Sequence, residues 1–467
     1  MSLPFAKAVD LEVPEATVEK QEPPPTRSFS SNTAKVLGAQ MARTVFSGLL
    51  EVIYARILGP FGRGQMSLCA MVDAFYLLGG GLGGEIPLVL WSADHRKKPA
   101  EWMPAVLLCG LVGTVLAEIC WVVVYFYWHP VFLKGITNTL AILLAITFPL
   151  NILVSYVLSL SLGLDRIRER SILVVSHQVV TCLVAGVLLT LVSPTAEMAM
   201  TALVVGVLVV VCIALVFLRD YLKTVRGWTI DFATVRRALS LGLRGQMGNV
   251  ATFLNYRLDV FVVNYYLSTK EVGLYSLGVL LSEVIWQVPN AAAAATLSRT
   301  ARNVEKGSPE FTCLVCRQVL LLSCVTAVVL AVLSTLLVPV VFGARFRPSV
   351  PVIWWILPGT VAFAVGKIMS ADLLGRGWPQ YSASFAVVTL FLTTALDFLL
   401  VPRMGINGAA IASSIAYFFN AVLIAWVLRR KLSVSWKSMF VPSLLELGMY
   451  RQMWNRFLNW FYPSTVQ

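Results

Sequence analysis

Charge is scarce in this chain. Lys, Arg, Asp and Glu make up 13% of its 467 residues, where a soluble domain usually carries about 25%. Such a sequence cannot coat a water-facing globule, and 58% of it is hydrophobic, with a mean hydropathy of +0.77. A phosphate loop of the Gly-x-x-x-x-Gly-Lys-Ser/Thr kind is also missing, which excludes transport driven by a Walker-type nucleotide site. No metal or cofactor motif stands out, so neither is expected. Outward connections are short, about four to nine residues, too little to house the acceptor and catalytic groups of a membrane-embedded polymerase or ligase. The chain is therefore not expected to be an enzyme.

What is present is a series of apolar runs of about twenty residues, the length that crosses a bilayer as helix. Spans fall near 36–58, 66–92, 103–128, 137–163, 171–193, 198–218, 243–267, 272–298, 315–343, 350–374, 380–401 and 406–428. Lipid offers backbone groups no partner, so helix is the expected state. Basic residues gather in alternate connections, among them Lys98, Arg168, Arg237, Arg302, Arg376 and Arg430. The other connections hold far fewer, such as Arg63, Lys134 and Arg345. An excess of roughly threefold sets the first group and both termini on the cytoplasmic side of the cell membrane. The net charge of +13 is read as topogenic, with no nucleic-acid partner.

The predicted organisation has five parts: a disordered acidic tail over 1–35, a six-helix bundle over 36–218, a cytoplasmic linker over 219–242, a second bundle over 243–428 and an amphipathic tail over 429–467. In that last tail Leu447, Tyr450, Trp454, Phe457 and Phe461 lie at helical spacing, the pattern of a helix in the membrane surface. The eight cysteines fall almost entirely inside spans and read as small apolar residues, including the closely spaced Cys313 and Cys316.

The two halves echo each other. Leu58 aligns with Leu267, Gly64 with Gly273, Ser67 with Ser276 and Leu68 with Leu277, all at a separation of 209 residues. Gly163 and Arg166 after span four are echoed by Gly375 and Arg376 after span ten. Each half has an even number of spans, so the copies share one orientation and imply a twofold axis along the membrane normal, with a central cavity between two pseudo-symmetric bundles. This is an all-α polytopic architecture of about twelve transmembrane helices.

The stretches LGPFGRGQ, VGLYSL, VFGARFRPSVPVIWWILPG and above all LLVPRMGINGAAIASSIAY resemble the polysaccharide exporters. These are the O-antigen-type flippases of the multidrug, oligosaccharidyl-lipid and polysaccharide superfamily. The resemblance covers about residues 33–430, and Pro402–Ala410 is its most specific part. It implies translocation of a lipid-linked oligosaccharide, on polyprenyl phosphate or pyrophosphate, for lipopolysaccharide or exopolysaccharide. Membrane lipid and polysaccharide assembly proteins are the partners it implies. Related families keep two alternatives open: a multidrug or cation antiporter and a lipid II flippase. The glycine run Gly79–Gly84 departs from the family pattern and predicts a bend or a close helix contact.

Ionisable groups inside a bilayer are costly, so each marks a candidate site. Gln40, Arg43, Ser47, Glu51 and Tyr54 make one polar stripe on span one. Span seven presents Gln246, Arg257 and Asn264 on one face and Thr252, Asn255 and Asp259 on nearly the opposite one. Glu283, Gln287 and Asn290 line up on span eight. The expectation is a water-filled, partly cationic cavity in which Arg43 and Arg257 hold a phosphate bidentately, with Gln40, Ser47, Tyr54, Gln246, Asn264, Gln287 and Asn290 as further binding residues. Glu51, Asp73, Asp259 and Glu283 are the candidates for ion coupling. The competing reading is helix-locking pairs, Arg43 with Glu51 or Arg257 with Asp73. Lys367 is expected to snorkel, and His177 to serve packing.

Overall fold

The computed structural model describes residues 26–94, 98–224, 230–302 and 309–441, and among them every regular element is helical. That follows from the solvent, because a helix satisfies its own backbone where lipid cannot. The first half contains α1 (Thr26–Ile53), α2 (Gly59–Gly80), α3 (Glu85–Ala93), α4 (Pro99–Phe132), α5 (Asn138–Gly163), α6 (Ile167–Val187) and α7 (Ala196–Thr224). The second contains α8 (Phe232–Tyr266), α9 (Thr269–Glu283), α10 (Gln287–Arg302), α11 (Pro309–Leu337), α12 (Ser349–Gly375), α13 (Pro379–Met404) and α14 (Ile406–Leu432), followed by the short α15 (Trp436–Phe440).

Ten helical stretches among the described residues are long and apolar enough to cross a membrane. One of them, Gly38–Gly80, holds two crossings, because its 43 residues would run about 65 Å as straight helix against a hydrocarbon core of about 30 Å. Gly59 breaks it with φ +68°, a backbone conformation only glycine adopts freely. The polar α8 is the remaining crossing. Each expected span therefore has its helix, with span two divided between α2 and α3 at Gly81–Gly84 and span eight divided between α9 and α10 at Val284–Trp286. The glycine run does bend the chain, with Leu82 at φ 45° and Gly83 at φ 68°.

Three expected boundaries differ. Helix α1 starts at Thr26, so residues 26–35 are helical and not tail. Helix α7 runs to Thr224 and α8 starts at Phe232, which leaves little of the expected linker. Asp231 caps α8, accepting from Ala233 N and Thr234 N, each at 3.1 Å. Helix α14 continues to Leu432 before α15. The stretch from Leu447 to Phe461 and the acidic residues before Thr26 lie outside the described residues.

The halves meet on their symmetry axis. A Cβ added to Gly64 would stand 1.8 Å from Thr269 O, and one added to Gly273 would stand 1.9 Å from Pro60 O. Pro60 and Thr269 are themselves 209 residues apart, like the two glycines. Ser67 Oγ lies 2.9 Å from Ser276 Oγ, another pair with that separation. Residues that are related by a twofold and also touch must lie beside the axis, so α2 and α9 cross on it. The face carrying the turn at Gly59 is closed around this crossing. Arg56 Nε donates to Val341 O at 2.8 Å, and Asn264 Nδ2 donates to Phe132 O at 2.9 Å. The Pro402–Ala410 motif builds a hairpin on the same face. Gly405 turns at φ +61°, and Gly408 lets α14 approach to where a Cβ would meet Leu400 O at 2.4 Å.

Symmetry fails at the first helix of each half. Helix α1 packs on α6 as α8 packs on α13, but α8 also packs across the lobes on α3 and α4. There a Cβ on Gly83 would stand 2.2 Å from Gly242 O. Among the described residues α1 has no comparable packing on α10 or α11. Ala39, Ala42 and Phe46 mark its half-buried stripe, and the rest of Gln40–Leu49 is exposed.

Candidate functional site

Below the crossing lie two cavities of similar size. The first, about 330 Å³, is lined by Ser47, Glu51, Tyr54, Arg63, Asp73, Gln178 and Ser276, and by Arg257 reaching in from the other lobe. The second, about 340 Å³, lies within the second lobe and includes Asn255, Asn290, Lys367, Ser382 and Tyr417. Both reach the low end of the range for ligand sites, about 300–1,000 Å³.

Arg63 organises the first cavity. It is 3% exposed. Its Nη2 lies 2.9 Å from Glu51 Oε2, and Nη1 donates to Gly273 O at 2.8 Å and to Ser276 Oγ at 2.6 Å. The residue sits one turn into α2, whose start is marked by Pro60, a residue favoured at the first helical positions. Counting Arg63 as a loop charge overlooked that signal. Arg257 pairs with Glu283 at 3.2 Å, Arg257 being 26% and Glu283 20% exposed by side chain. One of its five N–H donors is thereby engaged, and the planar fork has others for a second acceptor. Asp73 Oδ2 accepts from Asn151 Nδ2 at 2.8 Å, and Tyr54 Oη has no partner among the described residues.

These contacts rearrange the expected site. Arg43 does not share a cavity wall with Arg257: it is exposed on α1, one turn beyond Ser47, and Gln40 lies a further turn along. The helix-locking pairs also differ, since Glu51 takes Arg63 and Glu283 takes Arg257. Asn264 belongs to the closed face, fully buried on the carbonyls of Phe132 and Lys134. Gln246 is buried, with its amide 3.4 Å from Leu78 O, and Gln287 is exposed outside both cavity linings. Ser47, Tyr54, Glu51 and Asp73 do converge, and Asn290 lines the second cavity. Lys367 does not snorkel: Nζ donates to Asn290 Oδ1 at 2.9 Å. Across both linings cations outnumber carboxylates, three to two.

Asp259 has a different setting. It is 2% exposed, accepts from Tyr275 and, at 3.2 Å, from Ser413, and interacts electrostatically with Asp397. Asp397 is fully buried, and neither carboxyl oxygen has a partner among the described residues. Two buried carboxyl groups whose charges reach each other are a costly arrangement inside a membrane, and such groups mark candidate ion pathways. Nothing in the sequence sets Asp397 beside Asp259, which lies on another helix 138 residues away.

Comparison with known proteins places this architecture. A family model described as polysaccharide biosynthesis protein matches residues 53–351. A putative O-antigen transporter of Shigella flexneri is 24% identical over 246 residues, 52% of this chain and 58% of that protein. An uncharacterised membrane protein of Methanocaldococcus jannaschii is 22% identical over 203 residues, 42% of this chain and 40% of that protein. The chain thus spans about half the length of the curated relatives it matches. Among solved structures, the inward closed form of the lipid II flippase MurJ superposes with a TM-score of 0.68 at 13% identity, covering 92% of this chain and 99% of that one. An inward-facing multidrug transporter of the MATE family gives 0.67 at 13%, covering 84% and 94%. These two likenesses establish the fold. With its family model matched over well over half of its length, the chain belongs to the polysaccharide biosynthesis protein family.

Proposed function

We propose that this protein is a flippase that carries a lipid-linked oligosaccharide across the cytoplasmic membrane by alternating access, its head group in the cavities and its polyprenyl chain in lipid. The observation that carries this reading is the unsealed flank of α1 beside a cavity lined by two guanidinium groups. A cargo whose tail never leaves the bilayer needs a sideways entrance, and a phosphate or pyrophosphate needs planar bidentate donors. With the loop charges setting the Gly59 face outward, the molecule is closed outside and receptive from the cytoplasm, and both termini are cytoplasmic. Arg63 and Arg257 then hold the phosphate, Tyr54 and Ser47 support it, and Arg43 and Gln40 line the approach. Asp259 and Asp397 are the coupling pair, taking up an ion in one state and releasing it in the other. The family of polysaccharide biosynthesis proteins and the O-antigen relative support glycan cargo.

Native mass spectrometry of the protein released from lipid nanodiscs tests the cargo class. Polyprenyl-pyrophosphate-linked glycan should remain bound to the unaltered chain and be lost from Arg257→Ala. Retention of unglycosylated phospholipid alone would overturn the reading.

A further inference from the structure

The second cavity has walls unlike the first. Its lining residues Tyr256, Phe363 and Tyr417 pack on one another and on Trp286, which is outside the lining, with ring centroids 5.0 to 6.2 Å apart. The Trp286 ring is anchored by its N–H donating to Thr360 O at 3.1 Å. Over this cluster stands Lys367, with Nζ 4.1 Å from the Trp286 centroid and 5.6 Å from that of Phe363. Rings lend their electron-rich faces to an ammonium without neutralising it. Among the described residues the lining includes no carboxylate, and Glu283, the acidic group whose charge reaches Lys367, is already paired with Arg257. Lys367 has three donors; Asn290 takes one and the ring faces satisfy part of the rest. Beside it, Asn255 Oδ1 and Ser382 Oγ have no hydrogen-bond partner among the described residues. A positive charge held in place, a broad apolar wall and spare hydroxyl and amide groups are complementary to a sugar ring bearing an acid group.

Resting on the flippase reading above, we infer that this cavity is a glycan subsite for an acidic sugar, with Lys367 receiving the carboxylate and the aromatic cluster packing against the ring. The first cavity then takes the phosphate and the second takes the glycan, so cargo selection is divided between the lobes. Lys367 is a specificity residue here and contributes nothing to holding the phosphate.

Isothermal titration of the full-length protein in micelles provides the test, with trigalacturonate, maltotriose and inorganic pyrophosphate as probes. Trigalacturonate should bind the unaltered protein and maltotriose should not. Lys367→Gln should weaken trigalacturonate by about tenfold or more, the effect of losing a charge-assisted hydrogen bond, while Lys367→Arg retains most of the affinity. Pyrophosphate should bind both variants as it binds the unaltered protein. Equal binding of the two sugars, or trigalacturonate binding indifferent to Lys367→Gln, would overturn the inference. So would a loss of pyrophosphate binding in Lys367→Gln, which would assign the lysine to the carrier phosphate. Failure of the unaltered protein to move any lipid-linked glycan would instead count against the flippase reading and leave these titrations to judge the subsite separately.

Discussion

Helices α1 and α8 begin the two halves of one repeated design, yet their surroundings differ. Helix α8 packs within its own lobe on α13 and across the interface on α3 and α4, whereas α1 packs on α6 and leaves most of residues 38–49 exposed. The same topology thus yields one sealed flank and one open flank. The symmetry axis tells the converse story: where Gly64 meets Gly273 and Ser67 meets Ser276, the halves touch through equivalent atoms. A pivot must be symmetric to let two lobes rock, while a passage for lipid needs only one open side.

The axis should give the largest effects. Gly64→Val and Gly273→Val each drive a side chain into a carbonyl on the partner helix and should cost more than about 4 kcal/mol, the range of severe overpacking at a rigid contact. Both should abolish accumulation in the membrane. Gly48→Ala on α1, where nothing lies within 4 Å of an added Cβ, should leave the melting temperature unchanged or slightly raised. Unequal outcomes at the two axis glycines would break the symmetry.

Next come the arginines. Arg63→Ala leaves Glu51, half-buried at the cavity, and the carbonyl of Gly273 without their donor and should cost about 1–3 kcal/mol. Arg43→Ala, exposed on the open helix, should cost under about 1 kcal/mol. Thermal unfolding followed by fluorescence size-exclusion separates these values; equal losses would place Arg43 in the packed interior.

Asp259 and Asp397, proposed as the coupling pair, should affect transport more than stability. Asp259→Asn and Asp397→Asn should each make flipping indifferent to an imposed proton or sodium gradient, whereas Glu51→Gln should keep the response because Glu51 serves Arg63. Vesicles with clamped gradients measure this, and a gradient response surviving in Asp397→Asn would remove the pair from coupling.

The smallest effect lies at the start of α8. Hydrogen bonds from Thr234 and the Ala233 amide hold the Asp231 carboxyl below its ordinary pKa. A carboxylate favoured in the folded state stabilises it at neutral pH, and that contribution disappears as pH falls through its lowered folded value. Asp231→Ala should therefore reduce the melting temperature slightly at pH 7, with the difference vanishing in strong acid. A difference that grows in acid would contradict the cap.

Hydropathy made the twelve crossings legible, because lipid imposes one structure on any long apolar run. The separation of 209 residues was also readable and marks contacts on the axis. Ends were harder: the first turns of α8, with Arg236 and Arg237, look like linker because their apolar face is short. Arg63 was counted as a loop charge because positive-inside counting treats every charge near a bend as exposed, although Pro60 already placed it in helix. Partners were not readable at all. Glu51 follows Arg43 by eight residues yet turns to Arg63, and Asp259 accepts from Tyr275 and Ser413 on other helices, since pairing is decided by which helices pack and not by which residues share a face.

The central claim is tested most directly in vesicles loaded with a polyprenyl-pyrophosphate-linked oligosaccharide, by following the fraction that becomes accessible to an added glycosidase on the far side. Vesicles with the unaltered protein should expose the inner pool with time, and those carrying Arg257→Ala at the same protein density should expose none beyond protein-free vesicles. Equal exposure in all three preparations would contradict the account.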